Sequence, residues 1–255
     1  MKITLLQQDI VWANPAANRA KADAAIALFP GADLYVLPEM FSTGFCTQPR
    51  EIAESAPSET LAWMKQKSAE VNAAIAGSVA VEEGGRFYNR FYLVQPDGQV
   101  EWSDKKHLFT YGGEDKQFTA GHRRVIVTYL GVRILLLVCY DLRFPVWSRS
   151  HGDYDLILYV ASWPTSRIEV WNTLLRARAL ENQCYVAGVN RVGKDPYCDY
   201  IGGSTLIDPY GKTLALAEWE KEDCISAQID LPKLEAFRRK FPVLDDADAF
   251  QMISW

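Results

Sequence analysis

The stretch Val132-Arg133-Ile134-Leu135-Leu136-Leu137-Val138 constrains this chain more than any other. Its apolar side chains stand at neighbouring positions, so a strand built from it is apolar on both faces and has to be covered on both. A membrane helix needs ~18 apolar residues or more, and no run in the chain approaches that length. A central, doubly covered strand points to an α/β architecture.

The rest of the chain repeats the alternation such a fold needs. Ile3 to Leu6, Leu34 to Leu37 and Ala73 to Val81 read as strands, with helices predicted over Ala16 to Phe29 and from an N-capping Ser58 to Val71. Arg86 to Pro96 and Gln99 to Trp102 flank Asp97-Gly98, a hairpin signal. Val125 to Tyr129 turns at Gly131 into the apolar strand. Further on, Leu156 to Val160 is a strand, Ile168 to Gln183 a helix and Tyr185 to Arg191 a strand. Ser204 to Ile207 and Thr213 to Leu216 form a second hairpin, then come a strand at Cys224 to Ile229 and a helix at Lys233 to Lys240. No linker or repeat interrupts the pattern, and 49% apolar residues can fill one large core. Residues 1–255 are expected to form a single domain with mixed sheets.

Several chemistries are excluded. A net charge of −5 leaves no broad basic footprint, so no nucleic-acid or membrane partner is expected. The apolar run after Lys2 is too short for a signal peptide, which predicts a cytoplasmic protein. Five cysteines without C-x-x-C predict free thiols, and three histidines without ligand spacing predict no metal. G-x-S-x-G and G-x-G-x-x-G are missing, and Gly211-Lys212-Thr213 lacks the upstream glycine of a phosphate loop because position 206 is Leu. No cofactor is expected. Gly202-Gly203 reads as a plain turn.

Two residues occupy the place where α/β sheets gather reactive groups, the carboxyl ends of strands. Cys139 follows the apolar strand directly and precedes YDLRFP. It is either a buried structural thiol or a nucleophile facing a cleft. Glu39 follows Leu34 to Leu37 and Pro38, and beside Met40, Phe41 and Phe45 its carboxylate would be desolvated, which suits a general base. Lys105, in DKKHLF, reads alone as a loop charge, and His107 offers the alternative of a Cys–His pair.

Taken together, Leu37-Pro38-Glu39-Met40-Phe41, Lys105-Lys106-His107-Leu108-Phe109 and Cys139-Tyr140-Asp141-Leu142-Arg143-Phe144-Pro145 resemble, in order and spacing, the three catalytic segments of the nitrilase superfamily of carbon–nitrogen hydrolases. Asn89, Glu114 ahead of Phe118-Thr119-Ala120-Gly121, and Gly202-Gly203-Ser204 before Asp208-Pro209 agree with it. The family's F-x-P-G proline is absent here, which changes loop stiffness. ASWPTSRIEVWNTLLRARALENQCYVAGVNRVG and FRRKFPVLDDADAF are similar to the omega-amidase branch.

The resemblance implies a four-layer αββα sandwich, commonly assembled as a homodimer. It implies Cys139 as nucleophile, Glu39 as general base, and the Lys105 ammonium with the Tyr140 backbone N–H as oxyanion donors. Glu114 would hold Lys105 or the substrate, the alternative being a surface loop acid. The implied partner is a small-molecule amide, a short dicarboxylic acid monoamide such as 2-oxoglutaramate. Arg167, Tyr111 and Tyr197 are candidates for its carboxylate, and Phe41, Phe109 and Trp163 either wall the pocket or are core aromatics. The same machinery could act on carbamoyl amines, deaminated glutathione or a nitrile, and from another class the chain could be a catalytically silent binding or scaffold protein.

Overall fold

The computed structural model describes residues 1–251. The first part of the chain runs β1 (Lys2–Gln7), α1 (Pro15–Leu28), β2 (Leu34–Val36), β3 (Glu54–Ser55), α2 (Glu59–Val71), β4 (Ala74–Glu83), β5 (Arg86–Val94) and β6 (Val100–Asp104). The middle part runs β7 (Ile126–Tyr129), β8 (Val132–Val138), α3 (Pro145–Ser148), β9 (Leu156–Ala161), α4 (Ile168–Asn182) and β10 (Tyr185–Asn190). A small hairpin β11 (Val192–Lys194) and β12 (Asp199–Ile201) follows, then β13 (Thr205–Ile207), β14 (Thr213–Leu216), β15 (Asp223–Gln228) and α5 (Leu231–Lys240).

Two mixed sheets result, one in the order β15-β1-β2-β4-β5-β6 with β3 on β4, the other in the order β14-β13-β10-β9-β8-β7. The doubly apolar strand sits where its composition requires. β8 lies inside the second sheet, antiparallel to β7 and parallel to β9. Its alternate residues Ile134, Leu136 and Val138 pack between the sheets against Leu5, Val36, Ala76 and Leu93. Leu135 and Leu137 point the other way, under Trp171 and Leu175 of α4. Fully burying each such side chain stabilises the fold by about 1.5–3 kcal/mol. On the far side, Ala22 and Ile26 of α1 and Met64 of α2 cover Leu6, Tyr35 and Ile75. The layers are therefore helix, sheet, sheet, helix, the expected αββα sandwich.

The helix starts follow local chemistry. Ser58 accepts from Leu61 N at 3.0 Å, and Asn14 accepts from Ala17 N at 3.1 Å ahead of Pro15. The small hairpin Val192–Lys194/Asp199–Ile201 was not anticipated. One correction concerns Gly202-Gly203, which is no plain turn. Both residues have φ of +84°, and a Cβ on Gly202 would sit 2.4 Å from the Gln7 side chain. That side chain accepts from Ser204 N at 3.0 Å and donates to Glu218 O at 2.7 Å, so the glycine makes room for a polar tie between β1 and the later chain.

Candidate active site

Three strand ends and one tight turn converge. After β2, Leu37 N still donates to Ala76 O at 2.8 Å, and then Ser78 of β4 turns the chain by accepting Met40 N on its hydroxyl at 2.9 Å and Phe41 N on its carbonyl at 3.2 Å. Met40 takes φ of +44° in this turn. Glu39, between Pro38 and Met40, is driven inward and is completely buried.

Lys105 follows β6, its N–H donating to Asn89 O at 3.0 Å and its carbonyl accepting Gly121 N at 2.9 Å. Only glycine fits this approach, because a Cβ at position 121 would lie 2.1 Å from Asp104 O. Gly121→Ala should therefore destabilise the protein by about 1–3 kcal/mol, the range for overpacking, and should lower turnover by displacing Lys105. Thermal unfolding and ammonia release measured on the same preparation check this; an unchanged melting point would show that the Asp104 carbonyl yields.

Cys139 directly follows β8 and opens a short 3₁₀ segment with φ of +44°, a left-handed conformation that costs a non-glycine residue roughly 1–2 kcal/mol. Asp141 holds it there. One carboxylate oxygen accepts Val138 N at 3.0 Å, and the other accepts His107 N at 2.9 Å and lies 2.8 Å from His107 Nδ1. The His107 ring stacks on Phe144 with centroids 3.8 Å apart. It is thus the partner of Asp141, and the Cys–His pair considered from sequence is not formed.

At the centre, Lys105 Nζ lies 3.0 Å from Glu39 Oε1 and 2.9 Å and 3.1 Å from the two oxygens of Glu114. Asn89 Nδ2 donates to Glu39 Oε1 at 2.8 Å and approaches Glu114 Oε1 at 3.5 Å. Ser162 N, just past β9, donates to Glu39 Oε2 at 2.9 Å. Glu114 is buried too, in a turn closed by Phe109 N donating to its Oε2 at 2.6 Å. Burial works against the charged form of Lys105, but Glu114 and then Glu39 outweigh it and hold the ammonium well above the ordinary lysine range. Burial pushes the Glu114 carboxyl up, Glu39 adds to this, and Lys105 opposes it. Burial, followed by the Glu39 carboxylate, pushes the Cys139 thiol well above its ordinary value, with Lys105 pulling the other way. A thiol held this way is protonated at neutral pH and becomes a nucleophile only when a neighbouring base takes its proton.

These groups open into a pocket that reaches solvent. Glu39, Lys105 and Cys139 line it, with Phe109, Trp163 and Arg167 among its walls, where they were expected. Phe41 is corrected: it is buried behind the site, against Trp63 and Leu37, because the turn at Met40 points it into the layer under α2. Tyr111 and Tyr197 are outside the cavity lining, 88% and 69% exposed. Phe45, expected beside Glu39, reaches the cavity, and so do Ser162, Arg143 and the pair Cys198 and Tyr200, to which the sequence assigned no place in it. Arg143 stands over the Trp163 ring at 5.2 Å and Arg167 over Phe109 at 5.3 Å, and among the described residues neither has an ion-pair partner. Among the same residues no group of three or more His, Cys, Asp or Glu is placed to hold a metal ion, and no helix is long and apolar enough to cross a membrane.

Comparison with known proteins supplies independent information. The family model described as carbon-nitrogen hydrolase matches residues 2–239. The chain is 47% identical over 253 residues to omega-amidase YafV of Escherichia coli K12, covering 99% of this chain and 98% of that one. It is 36% identical over 250 residues to 2-oxoglutaramate amidase of Bacillus subtilis, covering 96% of each. Among solved structures, XC1258 of Xanthomonas campestris, described as a CN-hydrolase superfamily protein with an arsenic adduct in the active site, superposes with a TM-score of 0.95 at 40% identity, over 99% of this chain and 98% of that one.

Proposed function

The chain belongs to the carbon–nitrogen hydrolase family, and from that premise we propose that it hydrolyses the terminal amide of short dicarboxylic acid monoamides, of the 2-oxoglutaramate kind, to carboxylate and ammonia. The observation that carries this is the buried cluster of Glu39, Lys105 and Cys139 beneath a cavity walled by two guanidiniums that have no ion-pair partner among the described residues.

In this reading Glu39 takes the Cys139 proton as sulfur attacks the amide carbon. Lys105 has three hydrogens; with one on Glu39 and one shared between the two oxygens of Glu114, the third serves the developing oxyanion. Tyr140 N–H, in the first turn of a short 3₁₀ segment where leading amides lack an internal acceptor, is the second donor. Each preorganised donor of this type contributes about 3 kcal/mol. Protonated Glu39 then gives its proton to the departing nitrogen, releasing ammonia and leaving a thioester on Cys139. Water enters, Glu39 takes its proton, the hydroxide oxygen adds to the thioester carbon, and collapse returns the proton to sulfur and frees the acid. Glu114 keeps Lys105 aimed and charged throughout.

Arg143 and Arg167 support an anionic substrate, since an unpaired guanidinium in a partly buried wall gains most from a carboxylate. Ammonia release from 2-oxoglutaramate or 2-oxosuccinamate should exceed that from simple nitriles by at least about a hundredfold in kcat/KM, because each unmet buried polar group costs roughly 1–3 kcal/mol. A panel of these acids with carbamoyl amines, deaminated glutathione and nitriles, at one enzyme concentration, checks it. Comparable efficiencies would overturn the substrate class and leave the cysteine chemistry standing.

The same reading takes residues 1–255 as one hydrolase domain paired with a second copy in the cytoplasm. Free cysteines suit a reducing compartment. Leu180, Tyr210 and Phe241 are 49%, 54% and 59% exposed near α4 and α5, an apolar surface that suits a paired subunit. Light scattering on the purified chain tests the pairing.

A further inference from the structure

Asn89 touches every charged member of the central cluster. Its carbonyl accepts Lys105 N at 3.0 Å, its Nδ2 donates to Glu39 Oε1 at 2.8 Å, and the same nitrogen approaches Glu114 Oε1 at 3.5 Å. Its side chain is fully buried, and among the described residues Oδ1 has no hydrogen-bond partner. The amide therefore acts purely as a donor. Reversed, it would set its oxygen against two carboxylates.

A carboxylate oxygen offers about two lone-pair sites. Glu39 Oε1 has both occupied, by Lys105 Nζ at 3.0 Å and Asn89 Nδ2 at 2.8 Å. Among the described residues Glu39 Oε2 receives Ser162 N alone, at 2.9 Å, which leaves one site for the thiol proton. Ser162 lies just past β9, which runs parallel to β8 with Val160 opposite Val138, and its N–H also faces the Cys139 sulfur. Oε2 is thus the oxygen on the sulfur side.

We propose that Asn89 is a positioning residue of the reaction: together with Lys105 it occupies Glu39 Oε1, so that the proton taken from Cys139 is carried on Oε2. This rests on the reading of Glu39 as general base. The S–H electron pair becomes the new S–C bond, the proton settles on the free Oε2 lone pair, and from there it passes to the departing nitrogen without a rotation of the carboxyl. The charged and titratable neighbours of Glu39 are Lys105 after β6, Glu114 from its turn and Cys139 from the end of β8; the end of β9 supplies only the amide and hydroxyl of Ser162.

The test compares Asn89→Leu, similar in size without a donor, and Asn89→Ala with the wild type, after circular dichroism and melting show that each is folded. Losing the donor should lower kcat by about tenfold to a hundredfold, with KM changed by less than about threefold. A carboxylate deprived of a donor holds a proton more tightly, so the acid limb of the kcat/KM profile should move to higher pH by on the order of one unit. A folded variant with kcat within about twofold of wild type, or with a lowered kcat and an unmoved acid limb, overturns the proposal. Glu39→Gln is assayed alongside. If it is inactive while the Asn89 variants behave as wild type, only the role of Asn89 fails; if it is active, the base assignment beneath it fails.

Discussion

Replacing Cys139 with alanine will abolish ammonia release, by at least about a thousandfold, while the protein stays folded. The activity loss follows from the arrangement, because among the described residues no other thiol is both in the cavity and beside Glu39 and Lys105, and the Ser162 hydroxyl there donates to the Glu39 backbone carbonyl at 3.3 Å. Cys198 reaches the cavity wall but belongs to the turn held by Asp195, whose side chain accepts its N–H at 2.8 Å. The fold survives because only one sulfur atom is lost at a partly exposed strand end. Alanine also takes the left-handed backbone no worse than cysteine does, so the strain at φ +44° is unchanged. A stability change within about 1 kcal/mol is expected for such a site. Ammonia assays and thermal melts on the same sample check both halves. Near-wild-type turnover in a folded variant would remove the nucleophile assignment and favour a scaffold role for the chain.

Lys105→Ala should lose both activity and stability. Removing an oxyanion donor of this kind lowers kcat by on the order of 10²–10³. Removing the cation also leaves Glu39 and Glu114 facing each other, both completely buried. Breaking a buried ion cluster by deleting one partner costs about 3–5 kcal/mol. The Glu114 carboxyl is already held above its ordinary value of 4.5, and without Lys105 the main opposition to that rise is gone, with the Phe109 N–H left to oppose it. A carboxyl whose folded value lies above its unfolded one contributes stability that is complete below the unfolded value and is lost as pH rises through the folded one. The variant should therefore be weakest at neutral and alkaline pH and regain stability on acidification toward 4.5. Lys105→Arg keeps the charge, but its planar, longer head does not fit between two carboxylates 2.9 and 3.0 Å from a point donor, and it should also lose most activity. Melting curves across pH, with turnover beside them, decide. An arginine variant with native turnover, or an alanine variant whose stability ignores pH, would show that the ammonium carries neither role.

Much of this was written in residue types. β8 announced both of its covered faces, Asp97-Gly98 and Ser58 announced a turn and a helix start, and strand-end positions marked Glu39 and Cys139. What escaped was carried by backbone geometry. Ser162 contributes through its N–H, which any residue at that strand end except proline possesses. Phe41 read equally as pocket wall or core aromatic, and the turn at Met40, with φ of +44°, decides for the core. Glu114 read equally well as a surface acid, because nothing in its neighbours shows that the turn folds under Lys105. Arg143 stood inside a motif that drew attention to its cysteine, and its place in the wall depends on the short 3₁₀ segment that follows Val138.

The two sheets share the chemistry unequally. Glu39, Asn89 and Lys105 hang from the first sheet, while Cys139 and Ser162 hang from the second, and the Ser162–Glu39 bond of 2.9 Å joins residues 123 positions apart. Neither sheet owns a working half. A loosened intermediate that kept every strand and helix, but let one layer slide past the other, would retain its far-ultraviolet signature and hydrolyse nothing. Catalysis is in this sense a ruler laid across the interior, and turnover reports the alignment of the layers more sensitively than any measure of secondary structure.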